Sequence, residues 1–401
     1  MEATNAVAEL PMRWRAAEPV KRLPYRKFLP LLKTAVAAEP DRIDLKLQFA
    51  TALFYSHKMQ EIVEWLTPLA SAQETHPQLL YYLGRAALST KDHRLALQCL
   101  EFAAANGSVH AFGSLAEVLR YFRKPDQALE AALQGLDHLP SDYKALGIAV
   151  QTLIEQGATQ RLWNLCINLQ DRGAWGTYVP SAMAHSASTP EQFSEVAALV
   201  DRPRWFSATQ LEAPEDFNQR LAAELLLQKG RLPLPSTLAT LGTGNRIDQL
   251  ELAGGAVTQD LLSRIRSAVE CYAAERQRFA DHPVIAHQPA CITLKSWALD
   301  VNHDGHEAWH IHPSGWISGV YYVKVPEVKA SSGGYPGAIG FGPYPFGLER
   351  EIPSWPRWHV MPKAGLLVLF PSYYAHRTWP TGVNDPRICV AFDVVPSAPS
   401  P

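Results

Sequence analysis

The chain has 401 residues, enough for two or more domains that each bury a core of their own. Lys and Arg number 37 against 39 Asp and Glu, and the formal charge of −2 gives no electrostatic reason to expect nucleic acid or an anionic membrane surface as partner. No run approaches the roughly 18 apolar residues of a membrane span, and residues 1–26 lack the apolar core of a secretory leader, so the expectation is a soluble cytoplasmic protein.

From about residue 30 to 170 apolar residues recur at helical spacing, Ala is abundant, and Pro40, Pro77 and Pro140 punctuate the periodic stretches. A repeat of roughly 32 to 34 residues emerges when Leu83, Gly84, Ala87, Ala96, Leu100 and Ala103 are laid over Leu115, Ala116, Leu119, Ala128, Ala132 and Gly135. Phe49, Ala50, Leu53, Ile62, Leu66 and Leu69 give a copy upstream, and 149–165 a weaker one downstream. Small residues at fixed positions let antiparallel helices approach closely, while larger apolar ones lock each hairpin to the next. The pattern resembles tetratricopeptide repeats, whose faces take peptides or protein partners. Domain boundaries are expected at 25–170 for this helical part, 171–209 for a Gly-, Ser- and Pro-containing connection, and 210–397 for a second domain.

In that second domain, helical patterns at 214–230 and 258–279 precede a block of short segments rich in Val, Ile, Tyr, Trp and Phe. Strands are expected at 291–299, 307–312, 316–325, 337–342, 357–362, 365–370, 374–379 and 387–395. Short strands without intervening helices point to a jelly roll, so the chain is an α+β multidomain protein with helical hairpins first and a double-stranded β-helix after. The segment 342–356 is long enough for a lid over a pocket or for a plain surface loop. Five scattered cysteines (Cys99, Cys166, Cys271, Cys291, Cys389) without a CxxC pair suit reduced thiols, mostly core filler.

His310 and His312 stand at i and i+2 in Trp309-His310-Ile311-His312-Pro313, which puts both imidazoles on one face of a strand. His376 lies near the far end of the block, where a jelly roll brings it back beside the first pair. Three such ligands leave coordination positions open and imply catalysis by Fe(II), Zn or Cu; His303, His306 and His359 lie near enough to compete. Arg387 opens an apolar strand and points inward. A buried guanidinium needs an anion, either a bound carboxylate or an internal partner among Asp300, Glu307 and Asp385. The tryptophans around the motif are left without a role.

The stretch from Trp309 to Val323, with Pro313, Trp316, Ser318, Gly319, Val320, Tyr321 and Tyr322 in order, then Phe370-Pro371-Ser372 before His376, then Arg387, resembles the 2-oxoglutarate/Fe(II) oxygenase family related to prolyl hydroxylases. The resemblance implies a double-stranded β-helix using Fe(II), 2-oxoglutarate and dioxygen. It implies a keto acid chelating the metal, Arg387 binding the distal carboxylate with help from Tyr322, and succinate and CO2 as co-products. The chain departs from the wider superfamily twice. His312 occupies the place where a carboxylate is usual, so that Asp304 or Glu307 either compensates for the lost charge or is itself the third ligand. Cys389 replaces the usual serine beside Arg387 and is a poorer donor. The alternatives are a three-histidine metal dioxygenase not using 2-oxoglutarate, and a repeat-type protein-binding module carrying a degenerate barrel.

Overall fold

The computed structural model describes residues 12–17, 25–71, 76–228, 232–233, 239–328, 334–348 and 350–397. Outside these lie 1–11 and 18–24, most of the stretch read as lacking a leader, the end of the 214–230 helical pattern, and residue 349 of the expected lid. The chain divides into two compact units. One takes the helices up to Ala174 together with Phe346–Leu348, and the other takes Trp175–Pro345, the C-terminal remainder and the short Arg13–Trp14 strand.

The first unit consists, among the described residues, of α1 (Tyr25–Ala38), α2 (Ile43–Tyr55), α3 (Met59–Ser71), α4 (Pro77–Ser89), α5 (His93–Ala105), α6 (Ala111–Tyr121), α7 (Pro125–His138), α8 (Tyr143–Glu155) and α9 (Thr159–Leu169). Pro77 and Pro125 open α4 and α7, where their missing N–H costs nothing. Asp92 and Asp142 cap α5 and α8 through backbone N–H groups. The aligned repeat positions from Leu83 to Gly135 are all buried. At Gly84 a Cβ would sit 2.7 Å from Leu100 Cγ, which explains why the position is small. The repeat also shows in the turns: α2/α3, α4/α5, α6/α7 and α8/α9 each turn through one left-handed residue, His57, Lys91, Arg123 and Gly157. The weak downstream copy is therefore a full hairpin, α8/α9.

In the second unit the stretch expected to connect the domains carries α10 (Val179–Ser186), α11 (Pro190–Leu199) and α12 (Arg202–Trp205). Thr189 and Gln192 form a reciprocal capping box at the start of α11, a local signal that repeat periodicity does not register. The strands are β1 (Arg13–Trp14), β2 (Ser207–Gln210), β3 (Leu232–Pro233), β4 (Thr240–Leu241), β5 (Gly244–Asp248), β6 (Cys291–Val301), β7 (His306–Glu307), β8 (Ile317–Lys324), β9 (Ile339–Gly342), β10 (Trp358–Val360), β11 (Leu366–Pro371), β12 (Ala375–Thr378) and β13 (Arg387–Pro396). The expected helical patterns are α13 (Phe217–Leu227) and, after the short α14 (Leu250–Ala253), α15 (Ala256–Arg276).

The larger sheet runs β2-β11-β8-β13-β6-β5-β3, with β1 added to β6, and the smaller one runs β10-β9-β12. Central β13 is antiparallel to both β8 and β6, so its alternate residues line the interior from the middle of the sheet. Helix α13 packs on β8, and Tyr321 Oη donates to Asn218 Oδ1 at 2.7 Å. The expected strand 307–312 is much shorter than the pattern suggested. Only His306–Glu307 pairs, with β4, and the chain then crosses to β12 through a single bridge between His310 and His376. Among the described residues no helix is long and apolar enough to cross a membrane.

Two histidines of this unit outside the expected ligand set are packed into it, His185 buried and His282 half-buried. His185 of α10 donates from Nε2 to the Tyr344 carbonyl at 2.9 Å, and His282 stacks on Trp205 with ring centroids 3.7 Å apart. Burial pushes each from 6.5 down to about 4. Since the folded values lie below that of the free side chain, the unfolded chain takes up protons first; stability is full above about pH 6.5 and is lost as pH falls toward 4. Urea midpoints should therefore drop within this window, each histidine contributing roughly 1.4 kcal/mol per pH unit, and His282→Leu should flatten the slope. An equal slope in that variant would contradict the assignment.

Candidate metal centre

The reciprocal bridge sets the site. His310 N donates to His376 O at 3.0 Å and His376 N donates to His310 O at 3.0 Å, while His312 N donates to Ser372 O at 3.0 Å. Three histidines from two distant segments are thereby held side by side. Each offers a ring nitrogen within 4.8 Å of the other two, and among the described residues this is the one cluster of three or more metal-ligating side chains. Ring centroids of His310 and His376 lie 4.2 Å apart, and those of His312 and His376 5.0 Å.

Hydrogen bonds fix which nitrogen faces inward. His310 Nδ1 meets Ala308 O at 2.8 Å, and His376 Nδ1 meets Tyr374 O at 3.0 Å. Carbonyls can only accept, so both Nδ1 atoms carry hydrogen and both Nε2 lone pairs are free to ligate. His312 Nδ1 lies 2.7 Å from Asp393 Oδ1, which assigns it the same tautomer, and its buried Nε2 has no protein partner. Burial, reinforced by His312, lowers the pKa of His310, and burial with both neighbouring imidazoles lowers that of His376 well below 6.5. For His312 burial works in the same direction, but the Asp393 carboxylate outweighs it and holds the value above 6.5.

Beside the triad lies a cavity of about 30 Å³ lined by Glu307, Tyr322, Thr378, Arg387 and Cys389. This is room for about one water, so a five-carbon diacid would enter only if lining side chains swing aside. Arg387 is 3% exposed; its guanidinium donates to Gly337 O at 2.7 Å and to Thr378 Oγ1 at 3.3 Å, and its Nε has no partner. Among the described residues no acid is within ion-pair distance of it. Asp385 pairs with Lys324, Asp300 accepts from Asn245, and Glu307 lies 3.7 Å from His310 Nε2. A buried guanidinium with an unpaired N–H and no carboxylate is what an incoming carboxylate would complete. Burial raises the Tyr322 hydroxyl and pushes the Cys389 thiol up to about 11, with Arg387 opposing in both cases, so both stay protonated at neutral pH.

The residues therefore fit a divalent metal and a bound carboxylate: three inward-facing ring nitrogens and a buried cation paired with no acid among the described residues. Asp304, an exposed residue, accepts from Thr243 N, and His303, His306 and His359 are not in the cluster. Two contributors escaped the sequence reading. Thr378 shares the inner face of β12 with His376, and Asp393 shares that of β13 with Arg387 and Cys389; even spacing from a named residue was the available signal.

Replacing Arg387 by Met removes a buried charge that no internal acid compensates. The metal-free protein should lose no more than about 1 kcal/mol, or gain stability, in urea unfolding. A loss of several kcal/mol would mean that the guanidinium has an internal counter-ion.

Residues 295–393 match the family model described as "Putative 2OG-Fe(II) oxygenase". No curated protein matches the chain. Solved structures similar to it include the non-heme alpha ketoglutarate dependent epimerase SnoN from nogalamycin biosynthesis (16% identity, TM-score 0.35, 52% of this chain and 84% of that one). A Pseudomonas putida prolyl-4-hydroxylase (16%, TM-score 0.34, 50% and 99%) and YrrB, a TPR protein with an unusual peptide-binding site (13%, TM-score 0.34, 42% and 91%), are also similar. The segment 295–393, with the triad and Arg387 inside it, thus carries the signature of the 2OG-Fe(II) oxygenase family.

Proposed function

We propose that the chain is a non-haem Fe(II)- and 2-oxoglutarate-dependent dioxygenase that hydroxylates a peptide, protein or small-molecule substrate and releases succinate and CO2. The observation that carries this reading is the pairing of three convergent imidazoles with a buried arginine that has no carboxylate of its own. His310, His312 and His376 would hold Fe(II) through Nε2. Arg387 would take the distal carboxylate of 2-oxoglutarate, with Tyr322 beside it and Thr378 orienting the guanidinium. When bound, Fe(II) and 2-oxoglutarate supply dioxygen activation coupled to oxidative decarboxylation of the keto acid.

The protein's own contribution is order and protonation state. Backbone carbonyls keep His310 and His376 in the ligating tautomer, burial keeps them neutral, and Cys389 stays a thiol beside Arg387. The cavity walls Tyr322, Phe370 and Trp297 limit water around the reacting centre. We read the helical hairpins as the surface that takes a peptide or protein partner; exposed Tyr55, Tyr121 and Tyr143 supply aromatic contacts there.

Anaerobic Fe(II) titration with 2-oxoglutarate should give the weak visible charge-transfer band of the chelate. His376→Ala should abolish metal binding, and Arg387→Ala should weaken 2-oxoglutarate binding about 10- to 100-fold while sparing the metal. Metal binding without the band would favour a three-histidine dioxygenase that does not use 2-oxoglutarate. No metal binding at all would leave a protein-binding module with a degenerate barrel.

A further inference from the structure

The ligand set contains no anion, yet an anion stands directly behind it. Asp393 Oδ1 lies 2.7 Å from His312 Nδ1, and the Asp393 side chain is 15% exposed. Ser318 Oγ donates to the same oxygen at 2.6 Å, and Ser318 and Ser372 hydroxyls are joined at 2.8 Å. Ser372 also accepts the His312 backbone N–H, so one small network holds both the ring and the carboxylate behind it. Among the described residues Asp393 has no Lys or Arg within ion-pair distance, and its ionic partner there is the His312 imidazole. A largely buried carboxylate without a cation of its own is costly unless positive charge arrives beyond the ring.

We propose that Asp393 is a positioning residue that supplies, through His312, the negative charge usually provided by a carboxylate ligand. The inference rests on the metal-site reading above. Accepting the Nδ1 hydrogen with a full negative charge makes Nε2 more basic toward a metal than a carbonyl acceptor does. His310 and His376 have carbonyl acceptors at Nδ1; His312, which stands where the carboxylate is usual, has the carboxylate one bond further out. Glu307 is the rival source of charge. Its Oε2 is 3.7 Å from His310 Nε2 and it is not within the triad's cluster.

The test is Co(II) binding to the full chain, measured by calorimetry and by the visible absorption of the ion, with far-UV circular dichroism confirming folding. Asp393→Asn keeps an oxygen to accept from His312 and removes only the charge; its Co(II) affinity should fall about 10- to 100-fold. Ser318→Ala keeps the charge and loosens it, and should cost less than about fivefold. In a His312→Asp background the carboxylate is already on the metal, so Asp393→Asn should there be neutral or should tighten binding, a reversal that a purely structural role would not give. Affinity of Asp393→Asn within about twofold of the parent, or an equal loss in both backgrounds, overturns the inference. A loss confined to Glu307→Gln reassigns the charge to that residue and overturns it as well. If the parent chain binds no Co(II), the metal-site reading itself falls, a result distinct from the others.

Discussion

The reciprocal pair of backbone hydrogen bonds between His310 and His376 is the constraint on which the site depends. The first histidine follows the short strand β7 and the second lies on β12, with strands β8 to β11 between them in sequence. A single antiparallel bridge fixes the two Cα atoms opposite each other, and alternation along the strands then decides the rest. His312 and Thr378 fall on the same interior side as their neighbours two residues away. Each outer histidine also uses the carbonyl two residues before it to fix its ring. Backbone geometry therefore settles orientation, tautomer and spacing before any metal is considered.

Charge is distributed over the cavity with little internal cancellation. Arg387 is a buried cation served by a carbonyl and a hydroxyl, and Asp393 is a largely buried anion served by an imidazole and a hydroxyl. Folding such groups without direct counter-ions costs stability, which apolar burial in the same unit, including Phe370, Phe392 and Val390, offsets. Both charges lie along the inner face of β13, six residues apart, Arg387 opening the strand. One strand thus aims a positive group at one part of the cavity and a negative group at the ring that faces it.

Much of this was legible in the sequence. The hairpin repeat could be read because small residues must recur where helices touch, and the left-handed turns at His57, Lys91, Arg123 and Gly157 follow the same period. The histidines stood out because i and i+2 in an extended segment share a face. The bounds of that segment were less legible: 307–312 looked like one strand, whereas the chain pairs briefly with β4 and then reaches β12 by one bridge. Cross-strand partners were the least legible part. Nothing local to Asp393 announces that β13 lies beside β8 and faces His312; that follows from register, which composition does not encode. The helices within 171–209 hid for a different reason, since they arise from capping at Thr189 and not from the repeat.

Cys389 has a consequence for durability. Its thiol is buried and held up at about 11, so at neutral pH almost none of it is the nucleophilic thiolate. Oxidation of cysteine starts from the thiolate and needs access, and this side chain has neither. A sulfur atom can therefore line the same cavity as Arg387, one read as handling dioxygen, without being the first atom consumed there. The exposed Cys271 is the soft spot instead, open to solvent on α15 between β5 and β6.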